Sequence, residues 1–208
     1  MANLQKNRDE HGSYTTSVNN VPNQIALLGT SADPPTFGHA ALLEGLCKLF
    51  PKVITWASNN PFKSHSSSLY QRYELLSMLV NDLSIPNLEI NQSLSSRWTI
   101  TTLIQAEKLW PESKLIFIIG SDLITQVSTW NQISQVLQKA HLGIAPRNGW
   151  PINKIDLQKL KELGGKIDIL PLEIPTTSSS SIRSMARKSD IPQAILPTLI
   201  QKNLYGMK

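Results

Sequence analysis

Residues 29–39 have the sequence GTSADPPTFGH, and this stretch decides the fold. It follows a short apolar run, residues 25–28, and precedes an apolar segment with helical spacing, residues 40–50. That order predicts a buried strand, a tight loop and the start of a helix. Because the first backbone N–H groups of a helix have no partner within it, a phosphate can bind there.

The end of this loop carries donors suited to an anion. Gly38 leaves room for the backbone to approach a ligand, while Thr36 and His39 each offer a donor to a phosphate oxygen. A lone histidine at a helix start more often caps or packs, but the place of His39 after Gly38 favours the phosphate contact. Residues 33–35, Asp-Pro-Pro, are explained equally well as a stiff turn.

A second loop of the same type lies near the other end of the chain. Residues 177–183 have the sequence TSSSSIR, and apolar positions at helical spacing follow the serines, which argues against a flexible linker. Ser179 and Ser180 supply hydroxyls for a helix N-terminus, and Arg183 shares a helix face with Arg187. Two phosphate-type loops in one α/β chain predict nucleotidyl transfer.

Length and composition suit one domain with a real core. Of 208 residues, 40% are hydrophobic, and we expect a flexible N-terminal tail over residues 1–22 and a single domain over residues 23–208. No apolar run reaches the roughly 18 residues that span a bilayer, so no membrane partner is expected. Cys47 is the only cysteine, which excludes an internal disulfide and predicts a buried thiol. The predicted location is cytoplasmic, and a homo-oligomer is left open.

The charge balance favours small anionic substrates over nucleic acid. The net charge is +5 and the pI near 9.4, but the basic residues form no long run. A protein that handles several phosphates needs positive potential as well.

Strand-like and helix-like segments alternate along the chain. Strands are predicted at residues 25–28, 53–57, 88–90, 115–119, 142–145 and 167–170, and helices at 40–50, 69–83, 100–110, 133–139, 179–188 and 193–203. This alternation predicts an α/β, Rossmann-like, doubly wound parallel sheet with helices on both faces and a small helical C-terminal segment. Ligands of such sheets bind beyond the carboxyl ends of the strands, at the topological switch point.

Several polar side chains follow predicted strands at that edge. Asn60 and Lys63 follow the second strand, and an exposed lysine is as probable there as a phosphate contact. Arg72, on the next helix, either lies on a solvated face or reaches a phosphate with its planar fork. Asp122 follows the strongest strand and can bind ribose hydroxyls or water around magnesium, and Arg147 is a further phosphate candidate.

Two tryptophans are candidates for stacking. Trp98 precedes Thr99 at a predicted helix start, and Trp130 lies eight residues beyond Asp122. Each is either a flat surface for a heteroaromatic ring or part of the core.

In this order and spacing, the motifs resemble those of the nucleotidylyltransferase superfamily. More closely, the chain is similar to the nicotinate-nucleotide adenylyltransferase family from about Ile25 to Tyr205. The shared features are residues 29–39, 59–61, Trp98-Thr99 with Thr102-Leu103, Gly120 and Asp122 with Trp130, 146–147, 178–183, 196–197 and 204–205. The family often has His at position 36, Phe at 32 and an acidic residue at 101, where this chain has Thr36, Ala32 and Thr101.

The resemblance implies an enzyme that joins ATP and nicotinate mononucleotide, with Mg²⁺ bound to the ATP. It implies catalytic roles for His39, Thr36 and Arg183. It implies ATP contacts at Gly29, Thr30, Ser31, Gly38, His39, Gly120, Asp122, Ser179, Ser180 and Arg183. It implies acceptor contacts at Asn60, Lys63, Arg72, Trp98, Thr99, Trp130 and Arg147.

Other functions stay open from the sequence. Nicotinamide mononucleotide, or both mononucleotides, is the nearest alternative acceptor, and Thr36 also fits phosphopantetheine relatives. An inactive nucleotide-binding regulator and a basic RNA-binding module are readings from other classes. The intact His39 and Arg183 argue against the first, and the lack of aromatic–basic interleaving argues against the second.

Overall fold

The fold is built on a six-stranded sheet whose strands are all parallel. A computed structural model describes residues 5–8, 14–17, 22–175, 177, 179–185 and 187–208. The sheet strands are β3 (Gln24–Thr30), β4 (Val53–Ala57), β5 (Leu88–Ile90), β6 (Lys114–Gly120), β7 (His141–Ala145) and β8 (Ile167–Ile169). Their order across the sheet is β5-β4-β3-β6-β7-β8. Successive strands are thus added on one side of β3 and then, from β6 onward, on its other side, which places the topological switch point between β3 and β6. The predicted doubly wound parallel sheet is confirmed.

Two further short strands lie within the predicted tail. β1 (Gln5–Arg8) and β2 (Tyr14–Ser17) pair antiparallel, where the sequence analysis gives no element. Their sequences, QKNR and YTTS, consist almost entirely of polar residues, so they lack the alternation of apolar and polar residues that marks a strand. The rest of the prediction of a flexible tail falls largely on residues outside the described ones.

Helices cover both faces of the sheet. They are α1 (Phe37–Leu49), α2 (Leu69–Leu83), α3 (Thr99–Leu109), α4 (Ile124–Val127), α5 (Ile133–Lys139), α6 (Lys154–Glu162), α7 (Ser179–Met185) and α8 (Leu196–Gln201). Successive β3 side chains point to opposite faces, as in any strand. Ile25 and Leu27 join the core with α3, α5 and α6, whereas Ala26 and Leu28 join the core with α1 and α2.

A third, smaller core holds the C-terminal segment against α2. Leu75 of α2 packs with Ile182 of α7, Leu199 of α8 and Met207, all of them at most 1% exposed. The predicted small helical C-terminal segment is therefore present, and it packs against the middle of α2.

Two helices, α4 and α6, are not predicted, and several others have bounds that differ from the prediction. α6 is not predicted, because its sequence KIDLQKLKE buries only Leu160 and so shows no wide apolar stripe. The predicted helix over 179–188 ends at Met185, and that over 193–203 spans Leu196–Gln201. Pro197 lies in the first turn of α8, a position that proline favours. None of the helices in the described part of the chain is long and apolar enough to cross a membrane.

Candidate active site

Two adjoining clefts open at the carboxyl edge of the sheet. We call one the basic cleft, lined by His39, Lys63, Asp122, Arg147 and Thr177. The other, the aromatic cleft, is lined by Trp56, Phe62, Trp98, Phe117 and Trp130. The clefts share lining residues at the ends of the two central strands and in the following loops, namely Gly29, Ser58, Asn60, Ile118, Ile119 and Leu123. A ligand with two parts can therefore occupy both clefts at once.

His39 is held in one orientation at the first turn of α1. Its Nδ1 accepts a hydrogen bond from the backbone N–H of Thr36 at 3.1 Å, in a capping box. An amide nitrogen can only donate, so Nδ1 must be the unprotonated nitrogen. In the neutral ring the hydrogen then lies on Nε2, which makes His39 a donor of known tautomer.

The surroundings of His39 keep its ring neutral. Burial and, to a lesser extent, the positive charges of Arg147 and Lys63 together lower the pKa of His39 from 6.5 to about 4. At neutral pH the ring therefore donates through Nε2–H without carrying a full charge.

Thr36 lies beneath His39 and does not line either cleft. Its side chain is fully buried, and its Oγ1 is 2.9 Å from His39 Nδ1. The sequence analysis assigns Thr36 a direct phosphate contact, and this geometry instead gives it the role of orienting His39. The reason is that the N-cap side chain turns back toward the helix end.

Two glycines allow close approaches that shape the clefts. A Cβ on Gly38 would lie 2.9 Å from the backbone oxygen and Oγ1 of Thr177, whose Oγ1 accepts from Gly38 N–H at 2.8 Å. A Cβ on Gly29 would lie 2.8 Å from the ring of Trp56. At Gly38, where the sequence predicts a close approach to a ligand, the structure shows a close approach to the second loop of the protein.

Asp122 and Arg147 form an ion pair across the basic cleft. Arg147 Nη1 lies 3.2 Å from Asp122 Oδ2. The carboxylate folds back over Gly120, where a Cβ would clash with Asp122 Oδ1. Ser121 fixes the next loop, since its Oγ accepts from Arg147 N–H at 3.0 Å and donates to the Trp150 carbonyl. The loops after β6 and β7 thus place one anionic and one cationic side chain together.

The aromatic cleft is walled by rings from four segments of the chain. Trp130 meets Phe117 edge to face with centroids 6.0 Å apart. Phe62 lies 6.3 Å from Trp98, and the guanidinium of Arg97 lies 5.2 Å from the Trp98 ring centroid. Trp98, Thr99 and Trp130, which the sequence analysis selects for a heteroaromatic ring, are brought together in this cleft.

The loop after β4 contributes to both clefts. Asn60 lies at their junction, and its Oδ1 accepts from Phe62 N–H at 2.8 Å, which fixes the turn. Lys63 is exposed and lines the basic cleft. Phe62, 76% exposed, was not selected from the sequence, because an aromatic residue after proline carries no signal of its own.

Arg72 is buried and lines neither cleft. It is 2% exposed, and its Nη1 donates to the carbonyls of Ser31 at 2.7 Å and Ser58 at 3.0 Å. The sequence analysis assigns Arg72 a substrate contact. The structure instead makes it a tie between the loops after β3 and β4, because its Nη1 binds a carbonyl of each loop.

The second phosphate-type loop lies beside the first, at the turn of residues 33–35. Ser179 Oγ donates to the Pro34 carbonyl at 2.7 Å, and Arg183 Nη1 donates to the Asp33 carbonyl at 2.8 Å. Ser180 Oγ accepts from Arg183 Nη2 at 3.2 Å. These three residues do not line the basic cleft, although Thr177 of the same loop does. Thr30, Ser31 and Gly120, also selected from the sequence, do line it.

Asp33 and Tyr205 are residues that sequence reasoning missed. The Asp33 side chain is 2% exposed and accepts from Tyr205 Oη at 2.7 Å. An acid before two prolines is well explained as a turn, so its sequence context gives no sign of a partner 172 residues away.

The described residues offer no cluster of three or more His, Cys, Asp or Glu side chains suited to a metal ion. Asp122 is the carboxylate that lines the basic cleft. A magnesium ion there would fit only as part of a nucleotide complex, because Mg²⁺ commonly combines one carboxylate with substrate phosphates and water.

Comparison with known proteins places this geometry in a family. Residues 27–185 match the family model described as Cytidylyltransferase-like. A protein of Synechocystis sp. named probable nicotinate-nucleotide adenylyltransferase is 37% identical over 197 residues, which cover 88% of this chain and 98% of that protein. One of the same name from Desulfitobacterium hafniense is 28% identical, over 89% of this chain and 94% of that protein.

A solved structure has the same fold. The nicotinic acid mononucleotide adenylyltransferase of Plasmodium falciparum, solved in complex with NaAD, matches with a TM-score of 0.75 at 22% identity, over 89% of this chain and 98% of that one. At that identity the match speaks for the fold alone, whereas the family rests on the sequence matches. The chain belongs to the Cytidylyltransferase-like family and, within it, to the nicotinate-nucleotide adenylyltransferases.

Proposed function

We propose that this protein joins ATP and nicotinate mononucleotide to give deamido-NAD and pyrophosphate, a step of NAD biosynthesis, in the cytoplasm. The observation that carries the proposal is the junction of the two clefts at Gly29 and Asn60. One cleft supplies cationic and neutral donors for phosphates, and the other supplies flat walls for a heteroaromatic ring. The named relatives point to the same pair of substrates.

In this reaction an oxygen of the mononucleotide phosphate attacks the α-phosphorus of ATP. A P–O bond forms there while the bond to the β-phosphate oxygen breaks, and pyrophosphate leaves. The attacking phosphate is ionised at neutral pH, so no general base is needed. The protein then contributes position and charge stabilisation.

His39 is the donor placed to stabilise that charge. Its Nε2–H would bind an oxygen of the α-phosphate as negative charge develops, because Nδ1 is already engaged by Thr36. A neutral ring suits this task, since its Nε2–H donates at neutral pH and the ring has no charge for the substrate phosphates to neutralise. Thr36 acts by orienting the ring.

The remaining polar residues divide between the two substrates. Arg183, Ser179 and Ser180 would hold the β- and γ-phosphates from the side of residues 33–35. Lys63 would bind the incoming phosphate of the mononucleotide. Arg147 would exchange its partner Asp122 for a phosphate, which would free Asp122 for ribose hydroxyls or for water on magnesium. When bound with ATP, Mg²⁺ supplies charge neutralisation at the phosphates.

The aromatic cleft supports a pyridine acceptor over phosphopantetheine. Trp98 and Trp130 are set to frame a planar ring, and backbone N–H groups at the start of α3 near Thr99 would bind its carboxylate. An extended pantetheine chain would gain little from such walls.

The test is pyrophosphate release with ATP and magnesium, comparing kcat/KM for nicotinate and nicotinamide mononucleotides, with product mass measured in parallel. We expect deamido-NAD and a preference of at least about tenfold for the acid, the effect of one charge-assisted hydrogen bond. Equal rates would mean a dual-specificity enzyme. Turnover with phosphopantetheine alone would overturn the proposal.

A further inference from the structure

The carboxylate of Asp33 is buried and has three hydrogen-bond donors. Oδ2 accepts from Ser66 N–H at 2.8 Å, and Oδ1 accepts from Ser67 N–H at 3.2 Å and from Tyr205 Oη at 2.7 Å. Arg183 Nη1 lies 3.8 Å from Oδ2, beyond hydrogen-bond distance. Tyr205 therefore makes the shortest of these contacts.

Tyr205 is held firmly in this position by its own segment. Its φ of 54° and that of Asn203, 49°, lie in the left-handed region that residues other than glycine seldom adopt. Met207 is 1% exposed in the core with Ile182 of α7. Burial raises the pKa of Tyr205, so its hydroxyl keeps its proton and always donates.

Arg183 has two competing partners within the same residue, Asp33. Its Nη1 donates to the backbone carbonyl of Asp33 at 2.8 Å, and the carboxylate lies a little further away. In this position about a third of the Arg183 side chain, 31%, is accessible. Without Tyr205, Oδ1 would keep only the donor from Ser67. The less well compensated carboxylate would then draw the guanidinium closer, because a buried charge with too few partners is costly.

We propose that Tyr205 is a positioning residue for ATP: its hydroxyl occupies Asp33, and this leaves the guanidinium of Arg183 available to the triphosphate. The proposal rests on the proposed function, since it takes Arg183 as a phosphate ligand. It adds a specific prediction, which is that the effect of Tyr205 on ATP passes through Arg183.

The experiment measures the affinity of MgATP by calorimetry for the parent, Tyr205→Phe, Arg183→Ala and the double variant. We expect Tyr205→Phe to raise the Kd of MgATP about tenfold, the size of one weakened charge-assisted hydrogen bond. In the Arg183→Ala background the same change should alter the Kd less than about twofold, because the two changes act on one interaction. Tyr70→Phe, at a 66% exposed tyrosine of α2, is the matched control.

A merely structural role for Tyr205 predicts a different pattern. Tyr205→Phe would then lower the melting temperature and weaken MgATP and nicotinate mononucleotide alike, with the same loss in both backgrounds, and the proposal would be overturned. We expect instead that the Kd of the mononucleotide stays within about twofold.

A second variant keeps the test independent of the folding of Tyr205→Phe. Asp33→Asn retains an acceptor for Tyr205 but no charge to attract Arg183, so its MgATP affinity should stay within about threefold of the parent. A loss as large as that of Arg183→Ala would contradict the proposal. MgATP binding can be measured without the mononucleotide, so these results do not depend on turnover. Normal binding of MgATP without turnover would count against the proposed function alone.

Discussion

The two clefts are built in different ways. The basic cleft is shaped by main chain: Gly38 N–H bonds Thr177, Thr36 N–H bonds His39, and Arg72 binds two loop carbonyls. The aromatic cleft is shaped by side chains, with Phe62 largely exposed at its rim. The first arrangement holds the hydrogen-bond donors in fixed positions, as charge stabilisation requires. The second arrangement determines which heteroaromatic ring can bind. Changes in the basic cleft should therefore alter kcat, and changes in the aromatic cleft should alter KM for the acceptor.

The largest effect is expected from His39→Ala. We expect kcat to fall about 10²–10³-fold, or about 2.7–4 kcal/mol, because a preorganised donor to the developing charge is lost. The measurement is steady-state pyrophosphate release, and His141→Ala, at the opposite edge of the sheet, is the control. Weaker binding of the mononucleotide with unchanged kcat would contradict this division of roles between the two clefts.

The free energy of unfolding at acid pH should depend on the protonation of His39. Its pKa is about 4 in the folded chain and near 6.5 when unfolded, so the unfolded chain binds more protons between these values. The free energy of unfolding should therefore fall as pH falls through 6.5 toward 4, by on the order of 1–3 kcal/mol. Denaturant titrations of the parent and His39→Gln would show it as a pH slope that the variant lacks. Equal slopes would mean that His39 is not held neutral.

Gly38→Ala tests the main-chain construction directly. The new Cβ would meet the backbone oxygen of Thr177 at 2.9 Å, and neither backbone can move without breaking their hydrogen bond. We expect a loss of about 1–3 kcal/mol in stability and a lower kcat. Gly45→Ala is the control, since its Cβ meets only the flexible side chain of Leu172. If thermal denaturation ranked the two variants equally, the contact with Thr177 would not matter.

The smallest effect is expected in the aromatic cleft. Trp98→Ala should raise KM for the mononucleotide by about 1–2 kcal/mol, or about 5–30-fold, while kcat and KM for ATP change little. Trp98→Phe should recover much of the loss, because a ring is restored. A kcat defect in Trp98→Ala with KM intact would show that this cleft also serves the chemistry.

The central strands could be predicted because they are buried on both faces. β4 has the predicted bounds, and β6 exceeds its prediction by one residue at each end. Continuous apolar runs of this kind leave little ambiguity. α6 was missed for the opposite reason, since a surface helix that buries one residue lacks the period that identifies it.

The site divides along the same line. Residues that line a cleft in the segment following a strand, such as His39 at the start of α1 and Asp122 just after β6, could be selected because topology sends strand ends to one edge. Arg72 could not be assigned correctly, because its partners are two backbone carbonyls that only the folded loops bring together. Tyr205 depends on a contact across nearly the whole chain, and a single sequence carries no record of that pairing.

The ends of β3 and β6, the two central strands of the sheet, form the rigid part of the boundary between the clefts, and the loop residues Ser58 and Asn60 complete it. Amide hydrogens of such strands exchange with solvent only when the whole domain opens, whereas those of exposed loops exchange through local opening. The partition should thus last as long as the folded state itself, through many cycles of substrate entry and product release. Motions that admit ligands are left to the rims, and the alignment of the two substrates survives them.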